Sequence, residues 1–140
     1  MFIGEYTYSI DEKKRLSIPS KFRDALGKRA VITKGNSGCL VIYPLTAWSK
    51  EAVRFESMHD GRDEEAYSRL KLAGAIDVDF DKMGRILVPE YLKSYASLKK
   101  NVTILGLSNK IEVWDELKWK AYRDKMEKEM DDIASRLQKK

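Results

Sequence analysis

Residues 6–22, YTYSIDEKKRLSIPSKF, lie without a gap over residues 76–92, IDVDFDKMGRILVPEYL, at an offset of 70. An internal repeat restricts architecture more than any local propensity, because each copy must bury its apolar face against a neighbour. Asp11 falls on Asp81, Arg15 on Arg85 and Pro19 on Pro89. The apolar register follows: Tyr6 with Ile76, Tyr8 with Val78, Ile10 with Phe80, Leu16 with Ile86, Ile18 with Val88 and Phe22 with Leu92. One residue is gained further on, and an offset of 71 sets VITKG over VTILG, Tyr43 over Trp114 and Trp48 over Trp119. The chain reads as two copies of one unit of about 45 residues.

Each copy reads as β first. Tyr6, Tyr8 and Ile10 alternate with Thr7 and Ser9, the period of two that gives a strand one inward and one outward face. A charged tip follows, then alternation resumes through Leu16 and Ile18. In the second copy DKMG predicts a turn with Gly84 at positive φ; Lys14 holds that place in the first copy, so the two turns are expected to differ. Pro19 and Pro89 cannot donate to a ladder, which predicts that each ends a strand and opens a short helix, SKFRDAL or EYLKSYA. A second hairpin comes next, turning at GNSG in one copy and LSN in the other, with Asn109 replacing Gly38 as a residue that tolerates left-handed φ.

Helices close each copy. Leu45, Trp48, Ala52 and Phe55 share a face at spacings of 3, 4 and 3, and a loop at Asp60 and Gly61 precedes another short helix. Beyond Trp114, the positions Trp119, Tyr122, Met126, Met130, Ile133 and Leu137 recur at helical spacing, a face that requires a partner from the body or from another chain.

The chain has 140 residues, 43% hydrophobic and 35% charged, enough for one core but with no apolar run near the roughly 20 residues of a membrane-spanning helix. The N-terminal stretch lacks the basic start and apolar run of a signal peptide, so a cytoplasmic protein is expected. Cys39, the single cysteine, sits in GCLVIY as a small apolar residue. Enzymatic chemistry finds little footing. His59 is the only histidine and lies in a polar loop, GNSGC lacks the Lys-Ser/Thr of a phosphate-binding loop, and Asp77 and Asp79 match the outward, solvated positions Thr7 and Ser9. No catalytic set, metal site, cofactor or small-molecule substrate is expected. Trp48 and Trp119 are placed as core or interface anchors rather than base-stacking platforms.

The net charge is +5, and residues 11–29 hold seven Lys/Arg against three acids. Exposed Asp11–Arg15 and Asp81–Arg85 ion pairs would account for the repeated Asp-x-x-x-Arg itself. They would not account for Lys13, Lys14 and Lys82 beside it, whose mutual repulsion an anionic ligand relieves. Lysines supply affinity for phosphates through counterion release, and an arginine held by a carboxylate can be aimed at guanine O6 and N7. Nucleic acid is therefore the expected partner of these tips, and the resemblance given below narrows it to double-stranded DNA. The site residues are Lys13, Lys14, Arg15, Lys82 and Arg85, with Asp11 and Asp81 as carboxylate partners.

Two units of Asp-x-x-x-Arg followed by apolar-x-apolar-Pro, DEKKRLSIP and DKMGRILVP, resemble the MraZ proteins, bacterial transcription regulators with two SpoVT-AbrB-type repeats. The resemblance runs from MFIGEYTYSID to the helix after VWDELKW. It implies an α+β fold with a mostly β core, in which two swapped-hairpin units form a pseudo-dimeric β-barrel with flanking helices. Its parts would be a first repeat at 5–47, a helical connector at 48–75, a second repeat at 76–119 and a C-terminal helix at 120–140. It also implies a nucleoid-associated homo-oligomeric ring that binds repeated promoter boxes. The boxes would lie upstream of a division and cell-wall operon that includes its own gene, with repression as the outcome. The motif arginines become Arg15 and Arg85, partnered by Asp11 and Asp81. The rival expectations are an antitoxin-like DNA binder and a ring-forming protein-interaction scaffold whose tips bind an acidic protein.

Overall fold

The computed structural model describes residues 1–139. The first copy runs β1 (Phe2–Ser9), β2 (Arg15–Ser17), α1 (Ser20–Leu26), β3 (Arg29–Lys34), β4 (Leu40–Pro44) and α2 (Leu45–Glu56). A further helix, α3 (Arg62–Ala73), leads into the second copy: β5 (Ile76–Asp79), β6 (Arg85–Leu87), α4 (Glu90–Tyr95), β7 (Asn101–Ser108), β8 (Ile111–Asp115) and α5 (Glu116–Gln138). The device ββ, short helix, ββ, helix is thus present twice. Pro19 and Pro89 stand as the residues before α1 and α4, each in extended backbone that ends the preceding strand segment. The expected C-terminal helix reaches Gln138, and residue 140 lies outside the described residues.

The two copies trade strands. β1 pairs antiparallel with β7 of the other copy along all eight of its residues, from Phe2↔Ser108 to Ser9↔Asn101. Reciprocally, β5 pairs with β3, from Arg29↔Asp79 to Ile32↔Ile76. The hairpins β3–β4 and β7–β8 then join edge to edge through β4 and β8, which gives a six-stranded sheet in the order β1-β7-β8-β4-β3-β5. β2 and β6 form a separate two-stranded ribbon centred on Leu16↔Ile86. The ladders leave the large sheet open at β1 and β5, so the closed barrel implied by the resemblance is not formed by them. What they show is an α+β fold with antiparallel sheets and strands exchanged between copies.

One core serves both copies. Leu16, Ile18, Phe22 and Leu26 of the first copy pack with Ile86, Val88, Leu92 and Ala96 of the second, above Ile32, Ile42, Val102, Ile104, Ile111 and Val113 of the sheet. Leu16, Ile18, Ile86 and Val88 are inward positions of the period-two pattern, α1 adds Phe22 and Leu26, and α4 with its C-cap adds Leu92 and Ala96, so apolar burial and strand register select the same pairing. Phe22 receives Phe2 and Tyr6 edge-on, each with ring centroids 5.3 Å away, which ties the start of β1 to α1.

The closing helices differ from their sequence pattern in detail. On α2, Phe55 is buried and Trp48 half-buried, but Leu45, the first residue of the helix after β4, is exposed. α3 is as long as α2, and its Lys71 is buried: Nζ donates to the Lys34 carbonyl at 2.6 Å and lies 5.2 Å from the Tyr67 ring centroid. Asp115 caps α5 by accepting from the backbone of Lys118. Trp114, Trp119 and Tyr122 form a mutual cluster of edge-on and tilted rings, and Arg123 reaches Glu5 at 2.8 Å. Beyond that turn the helix has no buried residue. Trp48 and Trp119 are accordingly packing residues.

In the second hairpin the left-handed residue is Ser108, the counterpart of Ser37, and not Asn109. Asp77 and Asp79 are not simply solvated, since both pair with Arg29, at 3.5 and 3.0 Å.

Candidate nucleic-acid interface

The β2–β6 ribbon positions the repeated motif. Leu16 and Ile86 point into the core, at 0% and 1% exposure, so alternation turns Arg15, Ser17, Arg85 and Leu87 to the opposite, outer face. Arg15 stands opposite Leu87 and Arg85 opposite Ser17. The arginines of two distant sequence segments thus share one face of a short antiparallel ribbon. The ribbon extends by one further bond at each end: Val88 donates to the Lys14 carbonyl at 2.8 Å and Ile18 to the Gly84 carbonyl at 3.3 Å.

The two tips have the same backbone. Asp11 N–H donates to the Arg15 carbonyl at 3.0 Å and Asp81 N–H to the Arg85 carbonyl at 2.9 Å. Asp11 Oδ1 accepts from the backbone of Lys13 and Arg15 at 2.9 and 2.8 Å. Asp81 Oδ1 accepts from Met83 and Arg85, both at 2.9 Å. Lys14 takes φ 64° where Gly84 takes 75°. The expectation that a glycine-less tip would turn differently is corrected: two backbone donors on the aspartate hold the turn, and Lys14 accepts the left-handed cost.

The expected carboxylate–arginine pairing forms at Asp81 with Arg85 but not at Asp11 with Arg15, and both aspartates have a further task. They organise the loop by accepting backbone N–H groups. For Asp81 those bonds, with Arg85 first, hold the carboxyl below its ordinary pKa. The ion pairing is also uneven. Arg85 Nε meets Asp81 at 3.0 Å, and its NH1 reaches across to Asp11 at 3.7 Å. The Asp11–Arg15 pair is absent, and among the described residues Arg15 has no carboxylate within 4.0 Å. Its guanidinium is the uncommitted one, because the cross-copy reach of Arg85 takes up Asp11.

The flanking cations also differ. Lys13 and Lys82 are exposed, whereas Lys14 is half-buried and bonded to Glu90 of the other copy at 3.0 Å, which lowers the Glu90 pKa. Two exposed apolar side chains were overlooked, Met83 at the second tip and Leu87 on the ribbon face. Counting by twos from Arg85 finds Leu87 in the sequence. The other candidates stay apart from this face. His59 is exposed beside Asp60, and Cys39 is buried, its thiol pushed up to about 12 chiefly by burial. Among the described residues no cluster of His, Cys, Asp and Glu is arranged to hold a metal, and no helix is long and apolar enough to cross a membrane.

A protein-family model described as "MraZ protein, putative antitoxin-like" matches the chain twice, over residues 1–69 and 72–140. Among similar proteins, one from Acetivibrio thermocellus named Transcriptional regulator MraZ is 43% identical over 138 residues, 98% of this chain and 96% of its own. Proteins of the same name from Finegoldia magna and Pediococcus pentosaceus are 43% and 40% identical, each alignment spanning 98% of this chain and 96% of theirs.

Proposed function

Because the chain belongs to the MraZ family, we propose that it is a sequence-specific regulator of transcription that binds double-stranded DNA through the outer face of the β2–β6 ribbon. One observation carries this reading: Arg15 and Arg85, one from each copy, project from the same face of a two-stranded ribbon. The major groove of B-DNA, about 12 Å wide, admits such a ribbon, and arginine recognises guanine there through O6 and N7. Lys13 and Lys82 flank the face as phosphate contacts, with Lys14 joining them when it leaves Glu90. Asp11 and Asp81 fix the tips, so little order has to be gained on binding.

Strand exchange supports treating the two repeats, 5–47 and 76–119, as halves of a swapped-hairpin pseudo-dimer. In this reading the β1–β2 and β5–β6 tips bring the ribbon against the open sheet to complete a barrel. The connector at 48–75 and the helix from residue 120 flank it. The uncovered apolar positions of α5, Met126, Met130 and Ile133, support homo-oligomeric assembly, and a ring would multiply weak single-tip contacts over regularly spaced boxes by effective concentration. The physiological reading is a cytoplasmic, nucleoid-associated repressor acting on repeated boxes upstream of a division and cell-wall operon that includes its own gene.

Fluorescence anisotropy with the duplex upstream of the gene and a scrambled duplex tests this, alongside footprinting and the mass of the bound complex. Preference for the native duplex, a steep fall with salt, and loss of preference in Arg15→Ala and Arg85→Ala with the fold retained are expected. Salt-insensitive binding, or unchanged discrimination in both variants, would refute it. Binding to an acidic protein in place of duplex would favour the scaffold.

A further inference from the structure

Two grooves flank the ribbon tips, and the repeat relates them to each other. One lies between the first tip and the second copy, with Asp11 and Glu12 facing Lys93, Lys99 and Lys100. The other lies between the second tip and the first copy, with Asp79 and Asp81 facing Arg23, Lys28 and Lys82. Arg23 corresponds to Lys93 at the offset of 70, and Lys28 to Lys99 at 71. Each groove is therefore a cross-copy structure, built by the strand exchange.

The charges within them are uneven in a way that points to a ligand. In the second groove Asp79 is engaged by Arg29 and Asp81 by Arg85, whereas Arg23, Lys28 and Lys82 have no carboxylate within 4.0 Å among the described residues. In the first, Lys93, Lys99 and Lys100 are likewise unpaired, and Asp11 is taken by Arg85 and two backbone N–H groups, leaving Glu12 as the one uncommitted acid. Glu12 apart, the acids are neutralised from outside each groove, and the cations within it stay free. Arg23 lies over Gly84, where any Cβ would collide with its guanidinium, and its Nε is buried without a hydrogen-bond partner, a donor left for a ligand to satisfy.

The geometry points to both grooves as cradles for duplex phosphates on either side of the ribbon, Arg23 and Lys28 in one and Lys99 and Lys100 in the other. The proposal rests on the DNA-binding reading above and adds a division of labour. Ribbon arginines read bases, and the grooves grip backbone without regard to sequence. The second groove, with no uncommitted acid, is the stronger.

The test uses the full chain with two double variants, Arg23→Gln with Lys28→Gln and Lys99→Gln with Lys100→Gln. Affinity for native and scrambled duplex is measured from about 50 to 300 mM salt. Each neutralised cation that touches a phosphate should lower the slope of log affinity against log salt by about one and weaken binding roughly five-fold near 0.15 M salt. Both duplexes should lose affinity equally, more in the Arg23 and Lys28 variant, with thermal melting unchanged. Lys21→Gln with Lys50→Gln, outside both grooves, gives the baseline for removing charge anywhere. If the groove variants match that baseline while Arg15→Ala still loses discrimination, the cradles are refuted and the DNA reading stands. Selective loss on the native duplex would also refute them, because it would make the grooves base readers. If the unaltered protein shows no salt-dependent duplex binding, both readings fall together.

Discussion

Lys14 and Gly84 occupy the same left-handed corner, yet only one of them is replaceable. Lys14, at φ 64°, is half-buried and reaches Glu90 of α4 with its ammonium, while Gly84 at φ 75° lies beneath the Arg23 guanidinium. Gly84→Ala is expected to cost about 1–2 kcal/mol from backbone strain alone, and to displace Arg23 as well. Lys14→Gly should relieve strain, but it loosens the unfolded chain and loses the bond to Glu90, leaving a net gain under about 1 kcal/mol. Urea midpoints at constant m-value decide between these outcomes. Asp81 gives the tip a pH dependence. Its folded pKa is depressed, so its contribution is fully present above the unfolded carboxyl value, near 3.9, and disappears as pH falls through the lower folded value. Amide NMR shifts of Met83 and Arg85 should therefore hold steady down to about pH 4 and move together below it, and Asp81→Asn should abolish that transition.

At the scale of elements, the ribbon is short and owes its position to one buried pair. Three residues of β2 meet three of β6, too few for a ladder to stand alone, and Leu16 and Ile86 at its centre fasten it to the shared core. Leu16→Ala is expected to cost about 2–5 kcal/mol. It should also raise hydrogen exchange at Arg15 and Arg85 more than in the distant β3–β4 hairpin, which measures how far the arginine face depends on that anchor. Lys71 works similarly on the opposite side, where its ammonium closes the end of β3 through the Lys34 carbonyl.

At the scale of the whole molecule, neither copy is a self-contained unit. β1 has its ladder partner only in β7, and β5 only in β3, so a separated copy loses its outer strand and half of the core. Fragments 1–71 and 72–140 should each lack a cooperative thermal transition at micromolar concentration, and mixing them should restore one. A separated fragment that melts cooperatively as a monomer would contradict this account. The same exchange brings Arg85 beside Asp11 and Lys14 beside Glu90, so the uneven pairing of the tips belongs to the assembled pair of copies.

The sequence by itself determined the repeat, the element order and the identity of the motif arginines, because period-two and period-three-to-four apolar patterns, prolines and turn residues act locally. It also carried the family resemblance that the comparisons bear out. The tertiary structure decided which strands pair, and with that everything that depends on neighbours distant in sequence. Two identical turns form from Lys14 and Gly84 because aspartate bonding outweighs the missing glycine. Asp11 serves Arg85 and leaves Arg15 uncommitted because β2 lies against β6. The grooves on either side combine Arg23 with Asp81, and Lys99 with Asp11, and the open order of the six-stranded sheet follows from the same pairings. Periodicity shows which side of a strand faces inward, but the partner beside it is selected by the free energy of burying both faces at once.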